Sequence, residues 1–181
     1  MLIIKIPPQE AYDPNTNSFI TCDKEYTLKL EHSLLSISKW ETQWKKSYIG
    51  TENKSYAEFI DYIKCMTINQ DVPDIVYTML TTDDVEAIGN YINDPATATV
   101  VNDYSKKRGT SKETPTSELI YYWMISNGIP FECEKWRLNR LLTLIKICNA
   151  KGNPSQMSRQ EIYAMNTQLN AARKKKLGIN G

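Results

Sequence analysis

The chain has 181 residues, 41% of them hydrophobic and 24% charged, with a net charge of +1. That is enough apolar material for one globular core and too little net charge for the whole chain to act as a nucleic-acid-binding body. Four cysteines without a C-x-x-C pair and a single histidine, His32, exclude the usual Cys/His zinc sets and predict free thiols of a reducing cytoplasm.

Leu2–Ile6 is short, β-branched and apolar, and predicts a strand stopped by Pro7–Pro8. So brief a stretch is no signal peptide, and no apolar run approaches the roughly 20 residues needed to span a bilayer. Tyr12–Asn17, rich in Asp, Asn and Pro, predicts a loop. Ser18–Cys22 and Tyr26–Glu31 are expected to pair with the first strand. In the latter, Tyr26, Leu28 and Leu30 alternate with Thr27, Lys29 and Glu31, as in a strand with one wet face. The result is a small antiparallel sheet of two or three strands that needs helices to cover it.

Ser33–Ile49 predicts a helix with Trp40, Trp44 and Tyr48 at i, i+4 and i+8 on one face. Ser55 and Glu58 form a capping-box pattern for a helix carrying Phe59, Ile60, Ile63, Cys65 and Met66. Pro73 opens a short helix, Asp74–Leu80. Thr81 or Thr82 caps another, Asp83–Ile92, with Asp83, Asp84 and Glu86 at the positive end of its dipole. Asp94–Val101 is rich in β formers and reads as one more strand, and Asn102–Pro115 as an exposed loop.

Thr116–Cys148 holds two apolar helical patterns on either side of Gly128–Ile129–Pro130. In the second, Lys135–Cys148, Leu138, Leu141, Leu142, Ile145 and Cys148 follow the i, i+3, i+4, i+7 template, widened by Leu144 and Ile147. A helix apolar on most faces is expected in the middle of the core. Asn149–Pro154 is expected to end it and act as a hinge. Ser158–Glu161 is another capping box, starting a last helix whose Ile162, Met165, Leu169 and Ala172 form a thin stripe, suited to light packing or to a partner. The fold class expected is α+β, mainly helical: one domain over residues 1–150, with a sheet in 1–31 and a helical core in 33–148, then a basic helical arm, 151–181. That arm carries six bases and one acid, a net of +5, which leaves −4 on the first 150 residues.

Few residues suggest chemistry. Asp83–Asp84 reads as dipole compensation rather than an acid–base pair. His32 is flanked by Glu31 and Ser33, but adjacent residues do not face each other, and no G-x-S-x-G motif is present. Gly109–Lys112 lacks the order of a phosphate loop. The chain therefore reads as a non-enzymatic interaction protein with no catalytic, metal or cofactor residues. Four Trp and eleven Tyr are present. Trp40, Trp44, Trp123 and Trp136 lie on apolar helical faces and are assigned to the core. Tyr121, Tyr122 and Trp123 are consecutive and cannot all point inward, so they are candidate partner-binding residues. So are Ile162, Met165, Leu169, Arg173, Lys174, Lys175 and Lys176. The basic run has three readings: a solvated helix end, contact with an acidic protein, or phosphate contact. It lacks interleaved aromatics, so nucleic acid is the least supported partner.

Four segments, LEHSLLSISKWETQWKKSYI (30–49), SYAEFIDYIKCMTI (55–68), ELIYYWMISNGIPFECEKWRLNRLLTLIKICN (118–149) and MSRQEIYAMNTQLNAARKKKLG (157–178), together resemble a family of small tailed-bacteriophage proteins. These belong to the tail-morphogenesis region and are similar in role to tail assembly chaperones. The resemblance spans Ile3–Gly178 and implies a non-catalytic protein that binds the tape-measure protein in the cytoplasm of the infected host, with no membrane partner. A second copy of the chain is a further partner to consider. The alternatives are a structural virion subunit, such as a connector or tail-completion protein, and a nucleic-acid-binding accessory protein acting through the basic end.

Overall fold

A computed structural model describes residues 1–13, 17–99 and 114–152, together with Thr167. The strands are β1 (Leu2–Ile6), β2 (Gln9–Asp13), β3 (Ser18–Cys22) and β4 (Tyr26–Leu30). The helices are α1 (Leu34–Trp44), α2 (Tyr56–Met66), α3 (Asp74–Thr78), α4 (Thr82–Asn93), α5 (Ser117–Ser126) and α6 (Leu138–Gly152), with a 3-10 turn at Phe131–Lys135. The protein is α+β and mainly helical. It divides into two compact units, Met1–Ile147 and Cys148–Gly181.

β1 pairs antiparallel with β4, Leu2 opposite Leu30 and Ile6 opposite Tyr26. Ile4, Ile6, Leu28 and Leu30 are buried while Ile3, Lys5 and Lys29 are exposed, so the alternation read from the sequence holds. The predicted loop is corrected at its start: Tyr12 and Asp13 belong to β2. Likewise Ser18–Cys22 pairs with β2, Gln9 opposite Cys22, and not with the first strand. Adjacent segments close a hairpin at less entropic cost than distant ones. Beyond β4, Ile68 donates its amide to the Lys29 carbonyl at 2.8 Å, and Glu31 donates to the Met66 carbonyl at 2.9 Å. The Asn69 side chain completes this edge. Its Oδ1 accepts the Lys29 amide at 2.9 Å and its Nδ2 donates to the Thr27 carbonyl at 2.9 Å, standing in for a strand backbone.

The core is centred on α1 rather than on the last helix of the first unit, which corrects the expectation from hydropathy. Leu34, Ile37 and Trp40 of α1 are fully buried, and α1 touches α2, α5 and the 3-10 turn. In α6 only Leu138, Leu141 and Ile145 are buried, while Leu142, Leu144, Ile147 and Cys148 are half-buried. α6 also starts at Leu138, not Lys135. Trp136 is extended, and Leu138 donates its amide to the His32 carbonyl at 2.8 Å, so this stretch docks on the β4–α1 junction before the helix begins. α6 continues through Asn149–Gly152, where a hinge was expected.

α1 is shorter than its sequence pattern. Lys45 takes a left-handed conformation (φ 54°) and its amide bonds the Glu41 carbonyl at 2.8 Å, ending the helix before Ile49. Tyr48 still joins the tryptophans, from a loop. Its ring lies edge-on to Trp40 at 5.2 Å and stacks on Tyr62 at 3.8 Å. The predicted capping box of α2 (Ser55 with Glu58) is formed, and Thr81, one of the two threonines expected to cap α4, is its cap and closes a further box with Asp84. Among the described residues of the expected strand at 94–101, residues 94–99 form none. There the Arg137 guanidinium pairs with Asp94 at 3.0 Å and Asn139 donates to the Asp94 carbonyl at 2.7 Å. Residues 100 and 101 of that strand, residues 102–113 of the exposed loop expected over 102–115, and the predicted C-terminal helix apart from Thr167 lie outside the described residues.

Candidate interaction surface on α5

α5 is apolar around nearly its whole circumference, the pattern of a helix buried on all sides. Among the described residues it is covered on one side. Ser117, Ile120 and Met124 face inward and are buried. Glu118, Tyr122 and Ile125, at i, i+4 and i+7, face outward; Tyr122 is 62% exposed and Ile125 63%. Phe131, at the start of the 3-10 turn, is 57% exposed, and its ring lies 6.3 Å from that of Tyr121. Tyr121 flanks the exposed stripe (i and i+4 with Ile125), so Tyr121, Tyr122, Ile125 and Phe131 form one patch.

The patch rests on fixed supports. Glu41, buried on α1, spans two backbone amides: its carboxylate accepts from Tyr48 at 2.8 Å and from Ser117 at 2.7 Å. A carboxylate on the first amide of α5 also faces the positive end of that helix. Ser47 adds a 2.6 Å bond to the Pro115 carbonyl, and Thr116 caps the helix by accepting the Leu119 amide. Gly50 permits this close approach, since a Cβ there would lie 1.9 Å from the Thr114 methyl. At the other end Gly128 is left-handed (φ 64°) and Ile129 donates its amide to the Met124 carbonyl at 2.8 Å. Buried Ile129 and Cys133 then hold the turn that carries Phe131. The Tyr121 hydroxyl donates to Glu134 at 2.7 Å; burial and that carboxylate raise its pKa, so the phenol stays neutral.

Of the residues read from the sequence as partner-binding, Tyr121 and Tyr122 lie on this patch. Trp123 is half-buried, one residue further around the helix, and contributes little to it. Ile162, Met165, Leu169, Arg173, Lys174, Lys175 and Lys176 lie outside the described residues. Ile125 and Phe131 were missed. Helical spacing from Tyr122 would have found Ile125; Phe131 is brought there only by the Gly128–Pro130 turn. Trp136, assigned to the core, is 36% exposed beneath the Arg140 guanidinium, 4.4 Å from its ring.

The groups that suggested chemistry are committed to structure. His32 is buried, and its Nδ1 pairs with the Tyr62 hydroxyl; Ser33 Oγ instead accepts the Ser36 amide. Burial and nearby Arg137 push the His32 pKa down to about 4. Asp84 is spent on Thr81, accepting from its hydroxyl at 2.7 Å. A cleft of about 390 Å3 lies between α1 and the end of α2, lined by Ser33, Ser36, Lys39, Cys65, Thr67 and Lys135 among others. The thiol there is a poor nucleophile, because burial raises the Cys65 pKa. Among the described residues, no three His, Cys, Asp or Glu side chains gather as metal ligands, and no helix is long and apolar enough to cross a membrane. All four cysteines are free. Comparison with protein-family models, with curated proteins and with solved structures finds no match.

Proposed function

We propose that this protein is a non-catalytic bacteriophage tail-assembly protein, a chaperone that holds apolar helical segments of the tape-measure protein in the host cytoplasm during tail building. The observation that carries this reading is the α5 face: Tyr122, Ile125 and Phe131 are each more than half exposed on a scaffold fixed by buried hydrogen bonds. The sequence resemblance to phage tail-morphogenesis proteins supplies the client. A helix laying its apolar stripe on such a face uses anchors at i, i+3, i+4 and i+7.

The size of the face suits a reversible grip. Fully burying a large apolar side chain is worth about 1.5–3 kcal/mol, and these three are partly covered already. Association entropy offsets much of the sum. A chaperone must release its client, whereas a permanent connector needs a larger apolar interface.

Co-expression with the tape-measure protein tests the reading. The expected result is a client that stays soluble, co-purifies with this chain, and leaves it behind when mature virions are isolated. An insoluble client would overturn the chaperone reading, and a fixed copy number in virions would make the chain a structural subunit instead.

A further inference from the structure

The charge around the α5 face points to the kind of helix it takes. Ser117–Glu134 contains Glu118, Glu132 and Glu134 and no Lys, Arg or His, a net of 0 − 3 = −3. Glu118 and Glu132 are exposed and Glu134 is half-buried. Their positions rim the apolar patch. Glu118 lies one turn before Tyr122 on the same face, Glu132 follows Phe131, and Glu134 receives the Tyr121 hydroxyl. Among the described residues none of the three forms an ion pair; those found engage Glu25, Glu31, Asp61, Asp74, Asp94 and Glu58. Lys45 acts on Glu118 without pairing with it.

We infer that the α5 face docks a cationic amphipathic helix, one whose apolar stripe covers Tyr122, Ile125 and Phe131 while flanking Lys or Arg side chains meet Glu118, Glu132 and Glu134. This rests on the reading of α5 as the client-binding face and adds the client's charge to it. An acidic helix with the same stripe makes the same apolar contact but sets like charges against the rim. Complementary rims mainly set partner choice and on-rate, and exposed pairs are screened by salt.

Two synthetic helical peptides of about 18 residues, long enough to hold helical structure, test this. They share one leucine stripe; one is flanked by Lys and the other by Glu. Each is titrated into the full-length protein at low and high salt. The Lys-flanked peptide is expected to bind roughly tenfold more tightly at low salt, with the advantage shrinking as salt is added. Glu132→Lys should reduce that advantage without changing thermal unfolding, because Glu132 is exposed and forms no ion pair among the described residues. Equal affinity for the two peptides would overturn the charge inference while leaving the apolar face intact. Binding that survives Tyr122→Ser with Ile125→Ser would place the peptide elsewhere and overturn both this inference and the face it rests on, as would no binding of either peptide. If the full-length chain sediments as a dimer that Ile125→Ser dissolves, the occupant is a second copy and the cationic-helix inference falls.

Discussion

Acidification from pH 7 to pH 5 charges one imidazole in the unfolded chain, because His32 is the only histidine. In the folded protein that ring is 3% exposed and paired with Tyr62, and burial, with help from Arg137 and against Glu31, sets its pKa at about 4. Unfolded, it titrates at about 6.5. Between the two values the unfolded chain binds a proton that the native state does not, so stability rises with pH. The contribution is complete above about 6.5 and is lost as pH falls towards 4. A gap of about 2.5 units corresponds to about 3 kcal/mol in the limit, of which about 2 kcal/mol is lost between pH 7 and pH 5. Urea unfolding followed by tryptophan fluorescence at half-unit pH steps measures this, and His32→Gln should flatten the slope in that window whatever its own stability. A wild-type stability that stays level from pH 7 to pH 5, or a native imidazole titrating near 6.5 by NMR, would refute the buried, neutral His32.

A second loss should begin below pH 4.5, because Lys46 and the Ser55 amide hold the Glu58 carboxyl down to about 2; the stability it contributes is present above its unfolded value and lost as pH falls towards 2. Lys46→Met should remove the main cause and move that acid limb to higher pH in the same urea series. Glu41→Ala strands the buried Tyr48 and Ser117 amides and should cost about 2–4 kcal/mol by chemical denaturation, with faster hydrogen exchange at the start of α5; unchanged exchange there would show that α5 is held otherwise. Gly50→Ala forces the Thr114 methyl aside and should destabilise by about 1–3 kcal/mol, and Thr114→Ser in the same chain should recover most of it, read as a double-mutant cycle. Asn69→Ala leaves the Lys29 amide without its acceptor and should speed its exchange, at a cost of about 1–2 kcal/mol.

What was legible in the sequence was local. The caps of α2 and α4 depend on a residue and its neighbour three positions on: the Ser55–Glu58 box formed as read, and of the two threonines read for α4 it is Thr81 that caps. The alternation in Tyr26–Leu30 needs only a strand and one wet face. The errors arose where a distant group decides. α1 stops at Trp44 in a left-handed Lys45, and the chain beyond it is held by the Glu41 carboxylate, which takes the Tyr48 amide and that of distant Ser117, a link no local pattern reports. The apolar run after Lys135 looked like the core centre, yet Trp136 and Arg137 are extended there because the β4–α1 junction takes their backbone. The candidate surface was half legible. Three consecutive aromatics required an exposed one, and Tyr122 is it, but Phe131 joins the patch through a turn whose direction is set by Gly128 and buried Ile129.

α5 and the turn after it are the proposed client-binding face. Hydrogen–deuterium exchange of the full-length protein, alone and with the tape-measure protein, tests it directly. Added protection is expected over Ser117–Trp136, and it should be lost when Tyr122, Ile125 and Phe131 are changed to serine. Protection confined to other segments, or a complex that forms equally well with the serine variant, would contradict it.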